Sequence, residues 1–200
     1  MGDSRHRYKN ISEAMIFKSR VYSLDLSDKN LFEIPKEILQ FENLQELFLN
    51  RNNLRSLPGW IGELKSLEVL YIKENYLEKI SPSIGQLESL ELLSFERNYI
   101  DEIPDEIANL KKLEYLDLDH NRISTLSSSV FFLIRIGYLI LDSNLLENLP
   151  KEISKLRNIR NLYLDNNRLK SLPDEIGNLF RLEDLYLKGN RLKSLPPSIG

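Results

Sequence analysis

From Val21 to the end of the chain an apolar residue recurs every 23 positions, with no insertion or deletion, and a period that strict leaves little freedom in the fold. The first column reads Val21, Leu44, Leu67, Leu90, Leu113, Ile136, Ile159 and Leu182. Three residues on, a second column is leucine throughout, from Leu24 and Leu47 to Leu185. Two further on, a third reads Leu26, Leu49, Ile72, Phe95, Leu118, Leu141, Leu164 and Leu187. Position 9 is Asn in every unit from Asn52 to Asn190, and Lys29 in the first. Position 11 is always apolar, and position 14 is Leu or Ile, usually followed by Pro. Such a period marks an array whose units cannot bury their apolar faces alone and must stack.

Within a unit, positions 3 to 7 alternate, with 4 and 6 turned inward and 3, 5 and 7 outward, which is the period of a strand. Position 11 and the column from Ile38 to Ile199 at position 18 do not fit a continued strand. They fit a chain that turns back and encloses the same core from other sides. The column from Phe41 to Leu179 closes it. The turn leaving each strand carries buried backbone groups without a sheet partner, and leaving one unpaired costs about 1–3 kcal/mol. An Asn amide both donates and accepts, so the Asn column is expected to bond its own turn and the turn beside it. Proline at position 15 (Pro35, Pro58, Pro104, Pro150, Pro173, Pro196) suits a rigid corner. Ser81 and Ser127 replace it, with a less rigid corner and an unchanged path expected.

Residues 1–20 precede the array. Asn10-Ile11-Ser12-Glu13 places an N-cap residue three positions before a carboxylate, which opens a short helix. Ile11, Ala14, Met15 and Phe17 are then expected to cover the open core of the first unit. At the other end the eighth unit stops at Gly200, its position 19, with no cap in sight. Its strand is expected to present an unpaired edge, so that either the chain associates through the eighth unit or a natural C-terminal part is missing.

Those residues resemble the leucine-rich-repeat family, whose core reads L-x-x-L-x-L-x-x-N-x-L. The second half of the unit, as in Leu172-Pro173-Asp174-Glu175-Ile176-Gly177-Asn178-Leu179, is similar to the L-P-x-x-I-x-x-L subtype. That subtype occurs in bacterial leucine-rich-repeat proteins and in intracellular ones associated with Ras-like signalling. The leader Tyr8-Lys9-Asn10-Ile11-Ser12-Glu13-Ala14, followed by Leu24-Asp25-Leu26-Ser27, is similar to multi-copy spirochaete proteins. The resemblance implies an α/β solenoid: a right-handed horseshoe with a parallel concave sheet and an irregular, 3-10 or short-helical convex side. Its parts are a capping segment at 1–20 and eight units starting at 21, 44, 67, 90, 113, 136, 159 and 182, the last incomplete.

Core positions are committed to packing, so recognition falls to the free positions on the strands. Eight strands about 4.8 Å apart make a face roughly 35 Å long, comparable with one side of a standard protein interface. An apolar and aromatic band crosses it: Phe48, Val69, Tyr71, Leu92, Tyr115, Tyr138, Ile140, Tyr163 and Tyr186. Tyrosine anchors interfaces well, while aromatic residues on strands also favour sheet formation for its own sake. Beside the band runs an acidic strip, Glu96, Asp119, Asp142 and Asp165 at position 7, with Asp117 next to it. Like charges about 5 Å apart repel by about 1 kcal/mol even at a water-like dielectric. The strip is read as meeting a basic patch on a partner, or as simply solvated. His120 beside Asp119 suggests at most a weak cation site, and no metal or cofactor is assigned. On the convex side Phe131, Phe132 and Ile134 exceed what sister units carry and are read as extra back-side packing or a second contact. Trp60 and Phe180 receive no role.

The function classes narrow accordingly. A net charge of −3 and a pI near 5.6 argue against a nucleic-acid surface. Without cysteine there is no disulfide framework and no thiolate metal site. No apolar run is long enough for a transmembrane span. The first twenty residues lack the pattern of a signal peptide, so localisation stays open: secreted or surface-bound if a native leader is missing, otherwise cytoplasmic. Two histidines, no phosphate-binding glycine loop and no nucleophile elbow point away from an enzyme. The expectation is a module that binds a protein partner on its concave face, as a bacterial surface or secreted protein that meets host macromolecules. Alternatives are an intracellular Ras-type scaffold and a self-assembling structural protein.

Overall fold

In a computed structural model that describes residues 6–199, the 23-residue period becomes a stack of coils. Gly200, where the eighth unit breaks off in sequence, and residues 1–5 of the capping segment lie outside the described residues. Each coil opens with a three-residue strand: β2 (Ser23–Asp25), β3 (Glu46–Phe48), β4 (Val69–Tyr71), β5 (Leu92–Ser94), β6 (Tyr115–Asp117), β7 (Tyr138–Ile140), β8 (Asn161–Tyr163) and β9 (Asp184–Tyr186). They pair in chain order, all parallel, into one open sheet. The register follows the sequence period, with Leu24 opposite Leu47 and Leu47 opposite Leu70. The inward leucines therefore form a continuous ladder, and those of β2 to β8 are wholly buried. Burying each contributes about 1.5–3 kcal/mol, but only where a coil lies on either side. Leu182, Leu185, Leu187 and Leu192 of the last coil are partly buried.

The chain returns along the convex side through short 3-10 turns: Lys36–Gln40, Gly59–Glu63, Pro82–Gln86, Asp105–Asn109, Ser128–Phe132, Lys151–Lys155, Asp174–Asn178 and Pro197–Ile199. Six of the residues preceding these turns are the position-15 prolines, and Pro35, Pro58, Pro104, Pro150 and Pro173 enter in extended backbone. Ser81 and Ser127 adopt the same backbone, φ −62° and −60°, so the path is unchanged where proline is missing. Adjacent turns lie so close that a methyl on Gly85 would collide with the Glu106 carbonyl. Phe131 occupies the equivalent position two units on and is fully buried, so of the three surplus apolars it is the one that packs. The turn it belongs to and the next, Lys151–Lys155, approach one another less than their neighbours do. Phe132 and Ile134 stay exposed, the former with the Lys155 ammonium 5.0 Å from its ring centre. Phe180 is almost fully exposed, and Trp60 packs partly against the core.

The Asn column forms a side-chain ladder. Asn98 donates through its amide to the Phe95 carbonyl of its own coil (3.0 Å) and the Ile72 carbonyl of the preceding one (2.9 Å). Its oxygen accepts from the Leu77 N–H at 3.0 Å. The pattern recurs from Asn52 to Asn190. One residue earlier, position 8 lies in the left-handed region in every coil: Asp28, Arg51, Glu74, Arg97, His120, Ser143, Asn166 and Gly189. This turn aims the position-8 N–H at the carbonyl of position 7 in the next coil, as from Arg51 to the Lys73 carbonyl at 2.9 Å. Backbone pairing therefore holds side chains where glycine is favoured.

The N-terminal cap has more structure than its sequence implies. The expected helix, α1 (Ile11–Ala14), opens on a capping bond from the Glu13 N–H to Asn10 Oδ1 at 2.7 Å. It continues as a 3-10 segment, Met15–Arg20. Ahead of it a two-residue strand, β1 (Arg7–Tyr8), adds to the sheet edge, with Tyr8 opposite Leu24. Ala14 and Tyr8 are buried, and Ile11 and Met15 pack partly on the core. Phe17 does not cover the core as expected: it is 46% exposed, with its ring 6.2 Å from that of Tyr8, which closes the coil instead.

Candidate partner-binding face

The outward positions of β2 to β9 line up across the concave side because every strand has the same register. Neighbouring strands lie about 4.8 Å apart, so large side chains at positions 3 and 5 touch across the sheet. Three aromatic pairs result. Phe48 stacks on Tyr71 with ring centres 5.4 Å apart, and Tyr163 on Tyr186 at 4.6 Å, only 4° from parallel. Tyr115 and Tyr138 meet at 5.8 Å in a tilted contact. Val69, Leu92 and Ile140 lie among them, half-buried. Tyr138 and Tyr186 are the most open, each 41% exposed. Burial pushes the Tyr115 hydroxyl up to about 12, helped by the nearby Asp117 carboxylate. Tyr163 is also raised, by burial first and then by Tyr186.

The acidic strip differs from its sequence reading at two of its members, Asp117 and Glu96. Asp117 is not part of an exposed strip: it is 3% exposed, and its Oδ2 accepts from Ser94 Oγ at 2.8 Å and from Lys73 Nζ at 3.2 Å. The same ammonium donates to Glu96 at 2.7 Å, and Arg97 lies 3.4 Å from the other Glu96 oxygen. Against the cost of partial burial, these bonds hold Glu96 below the usual carboxylate range and raise Lys73 to about 12. Lys73 stands at position 7 in the coil before Glu96, so the charge reversal was legible in the same column. Reading that column from Glu96 onward hid it.

Asp119, Asp142 and Asp165 remain half-buried and uncompensated by Lys or Arg among the described residues. Short carboxylates here also serve the sheet. Asp142 accepts the Asp165 N–H at 2.6 Å, and Asp165 accepts the Lys188 N–H at 2.6 Å. Asp119 is 2.7 Å from His120 Nδ1. Asp142, in the middle, is pushed up to about 6, chiefly by burial and then by Asp119, Asp165 and Asp117. Among the described residues no group of three or more His, Asp or Glu side chains is arranged to hold a metal ion.

Other contacts at the face were not foreseen. The Arg7 guanidinium of the cap lies 4.0 Å from the Phe48 ring centre and reaches Ser23 and Glu46. Lys73 lies 5.3 Å from the Tyr71 ring centre. On the rim, Tyr76 and Tyr99 stack 6.0 Å apart under Arg122, beside an open hollow of about 410 Å³. Position 10 carries no reading in the repeat pattern, although tyrosine in two consecutive units, Tyr76 and Tyr99, is a signal visible in the sequence.

The leucine-rich-repeat family model matches residues 19–77, 65–123 and 134–192. No curated protein sequence matches the chain. Among solved structures, a leucine-rich-repeat protein of Leptospira interrogans is 32% identical with a TM-score of 0.84, over 97% of this chain and 55% of that one. The plant peptide hormone receptor RGFR1, solved in complex with RGF2, is 31% identical with a TM-score of 0.74, over 84% of this chain and 28% of the receptor. Internalin C2 of Listeria monocytogenes shares the fold at 23% identity and a TM-score of 0.77, over 88% of this chain and 74% of that one. The chain thus spans about half of the Leptospira protein and under a third of the plant receptor.

Proposed function

Because the chain belongs to the leucine-rich-repeat family, whose fold commonly mediates protein–protein interaction, we propose that its concave sheet is the surface that binds a protein partner. The observation that carries this reading is the set of tyrosine pairs on that sheet, Tyr115 with Tyr138 and Tyr163 with Tyr186. Each presents paired ring surface with a polar tip, and its rigidity keeps the entropic cost of binding low. The band from Phe48 through Val69, Tyr71, Leu92 and Ile140 extends that surface. The plant receptor solved in complex with RGF2 gives a related array with a ligand bound. The family typically supplies binding scaffolds rather than enzymes, and an open sheet with one histidine, His120, offers no shielded reaction centre. The Leptospira similarity supports a bacterial protein, for which a surface or secreted place and host macromolecules are the proposed setting.

The test is a variant carrying Tyr138→Ala, Tyr163→Ala and Tyr186→Ala, compared with the unaltered chain in quantitative affinity capture from host and bacterial lysates. The variant is expected to keep its circular dichroism spectrum and to lose the proteins that the unaltered chain retains. Identical capture by a folded variant would remove the concave face from the function.

A further inference from the structure

The concave face is electrically divided along its length. Toward the N-terminus the chain supplies its own cations. Arg7 covers Phe48 and bonds Glu46, while Lys73 lies over Tyr71 and bridges Glu96 and Asp117. A Lys or Arg head beside a stacked ring and bonded to a neighbouring carboxylate is thus an arrangement the molecule builds twice. From β7 onward the rings and carboxylates recur without the cation. Tyr163 and Tyr186 stack more tightly than Phe48 and Tyr71, and the Asp119, Asp142 and Asp165 column runs beside them. Among the described residues no Lys or Arg pairs with any of these three. Lys188 follows in the column, and only its backbone N–H engages Asp165.

Resting on the proposed function, we infer that the C-terminal half of the concave face, Tyr138, Ile140, Tyr163 and Tyr186 beside Asp119, Asp142 and Asp165, docks a segment of a partner protein rich in Lys or Arg. The partner's cationic heads take the place that Lys73 takes in the other half, and their aliphatic stems lie along the tyrosine faces. Backbone N–H groups already hold one oxygen each of Asp142 and Asp165, so these acceptors are fixed before binding. Asp119 to Asp165 spans two strand spacings, about 10 Å, which accommodates two or three cationic side chains. Charge complementarity also explains why such a column of like charges persists: the partner relieves the repulsion that the free chain carries.

The probe is a short fluorescent peptide of alternating Lys and Leu, with a Glu and Leu peptide of equal length as counterpart, titrated into the whole chain by anisotropy. The Lys peptide is expected to bind, to weaken with salt, and to lose about tenfold in affinity in an Asp119→Asn, Asp142→Asn, Asp165→Asn variant. A control with Glu33→Gln, Glu37→Gln and Glu63→Gln has the same net charge, and its affinity is expected to stay within about twofold of the parent. Equal loss in both variants, no loss in the first, equal binding of the Glu peptide, or no binding of the Lys peptide overturns the inference. A Tyr138→Ala, Tyr163→Ala variant separates it from the broader reading. If that variant weakens the Lys peptide while the Asn variant does not, the concave face stands as the surface and its preference for a basic partner falls. If neither variant changes binding, both fall.

Discussion

Asp142→Asn isolates the strain that the acidic column carries when no partner is present. The carboxylate is half-buried between Asp119 and Asp165 and is raised from 3.8 to about 6, by burial first and by those neighbours next. A displacement of that size corresponds to about 3 kcal/mol. Asp142 is also partly exposed, and solvent screening reduces the effect on stability to about 1–2 kcal/mol. The sign follows from the direction. A carboxylate raised in the fold stabilises the native state most below its unfolded value, and that contribution is lost as pH rises through about 6. At neutral pH the ionised group therefore weighs against folding. Asparagine keeps an oxygen to accept the Asp165 N–H, now 2.6 Å from Asp142 Oδ1, and turns an amide toward the neighbouring carboxylates. The variant should be more stable than the parent by about 1–2 kcal/mol at pH 7.5, a rise of roughly 3–6 °C in melting temperature. The advantage should shrink through pH 6 and vanish near pH 4, where both chains are neutral at this position. Melting followed by circular dichroism across that range checks it. A destabilised variant, or an advantage of equal size at every pH, would show that the column is fully relieved by solvent and that its strain is not real.

Other substitutions test the remaining contacts. Lys73→Met should cost about 2–4 kcal/mol, because it leaves the buried Asp117 carboxylate without its cation, and adding Asp117→Asn should recover most of the loss in urea denaturation. Asn121→Ala removes donors to the Phe95 and Leu118 carbonyls and the acceptor of the Ile100 N–H, and should cost about 3 kcal/mol. The equivalent Asn190→Ala, at a partly exposed site, should cost about 1 kcal/mol, so the pair measured by chemical denaturation separates a buried ladder from a solvated one. Gly85→Ala should cost about 1–3 kcal/mol by driving a methyl against the Glu106 carbonyl, and a neutral result would mean that the convex turns spread there as freely as they do around Phe131.

The core was legible because each position in it is occupied by one kind of residue at every turn. Leu24, Leu47 and Leu70 meet the same demand, so the demand shows in the spelling. Position 8 makes an equally strict demand on the backbone, yet Asp28, Arg51, Glu74, His120 and Ser143 all satisfy it. The left-handed turn there is held by backbone pairing with the turn of the next coil, and no side chain advertises it. The strand at Arg7–Tyr8 was hidden for a different reason: Tyr8 reaches its partner Leu24 outside the 23-residue frame, so counting by the period cannot find it.

The candidate face was legible in its membership and less so in its burial. Alternation along a strand says which way a side chain points, and the concave residues do point outward. Whether water reaches them depends on what stands on the next two strands. Ser94 is wholly buried on the outward side because larger neighbours close over it, and Asp117 follows because it bonds both Ser94 and Lys73. The Lys73 to Asp117 contact crosses two strands diagonally, 44 residues apart, so neither the strand period nor the repeat period connects the two residues. Recognition surfaces on a parallel sheet are assembled from such diagonals. Residues that vary freely along each column acquire their charge state and exposure from neighbours in adjoining columns, and that is where Asp142 remains without the cation that Glu96 and Asp117 possess.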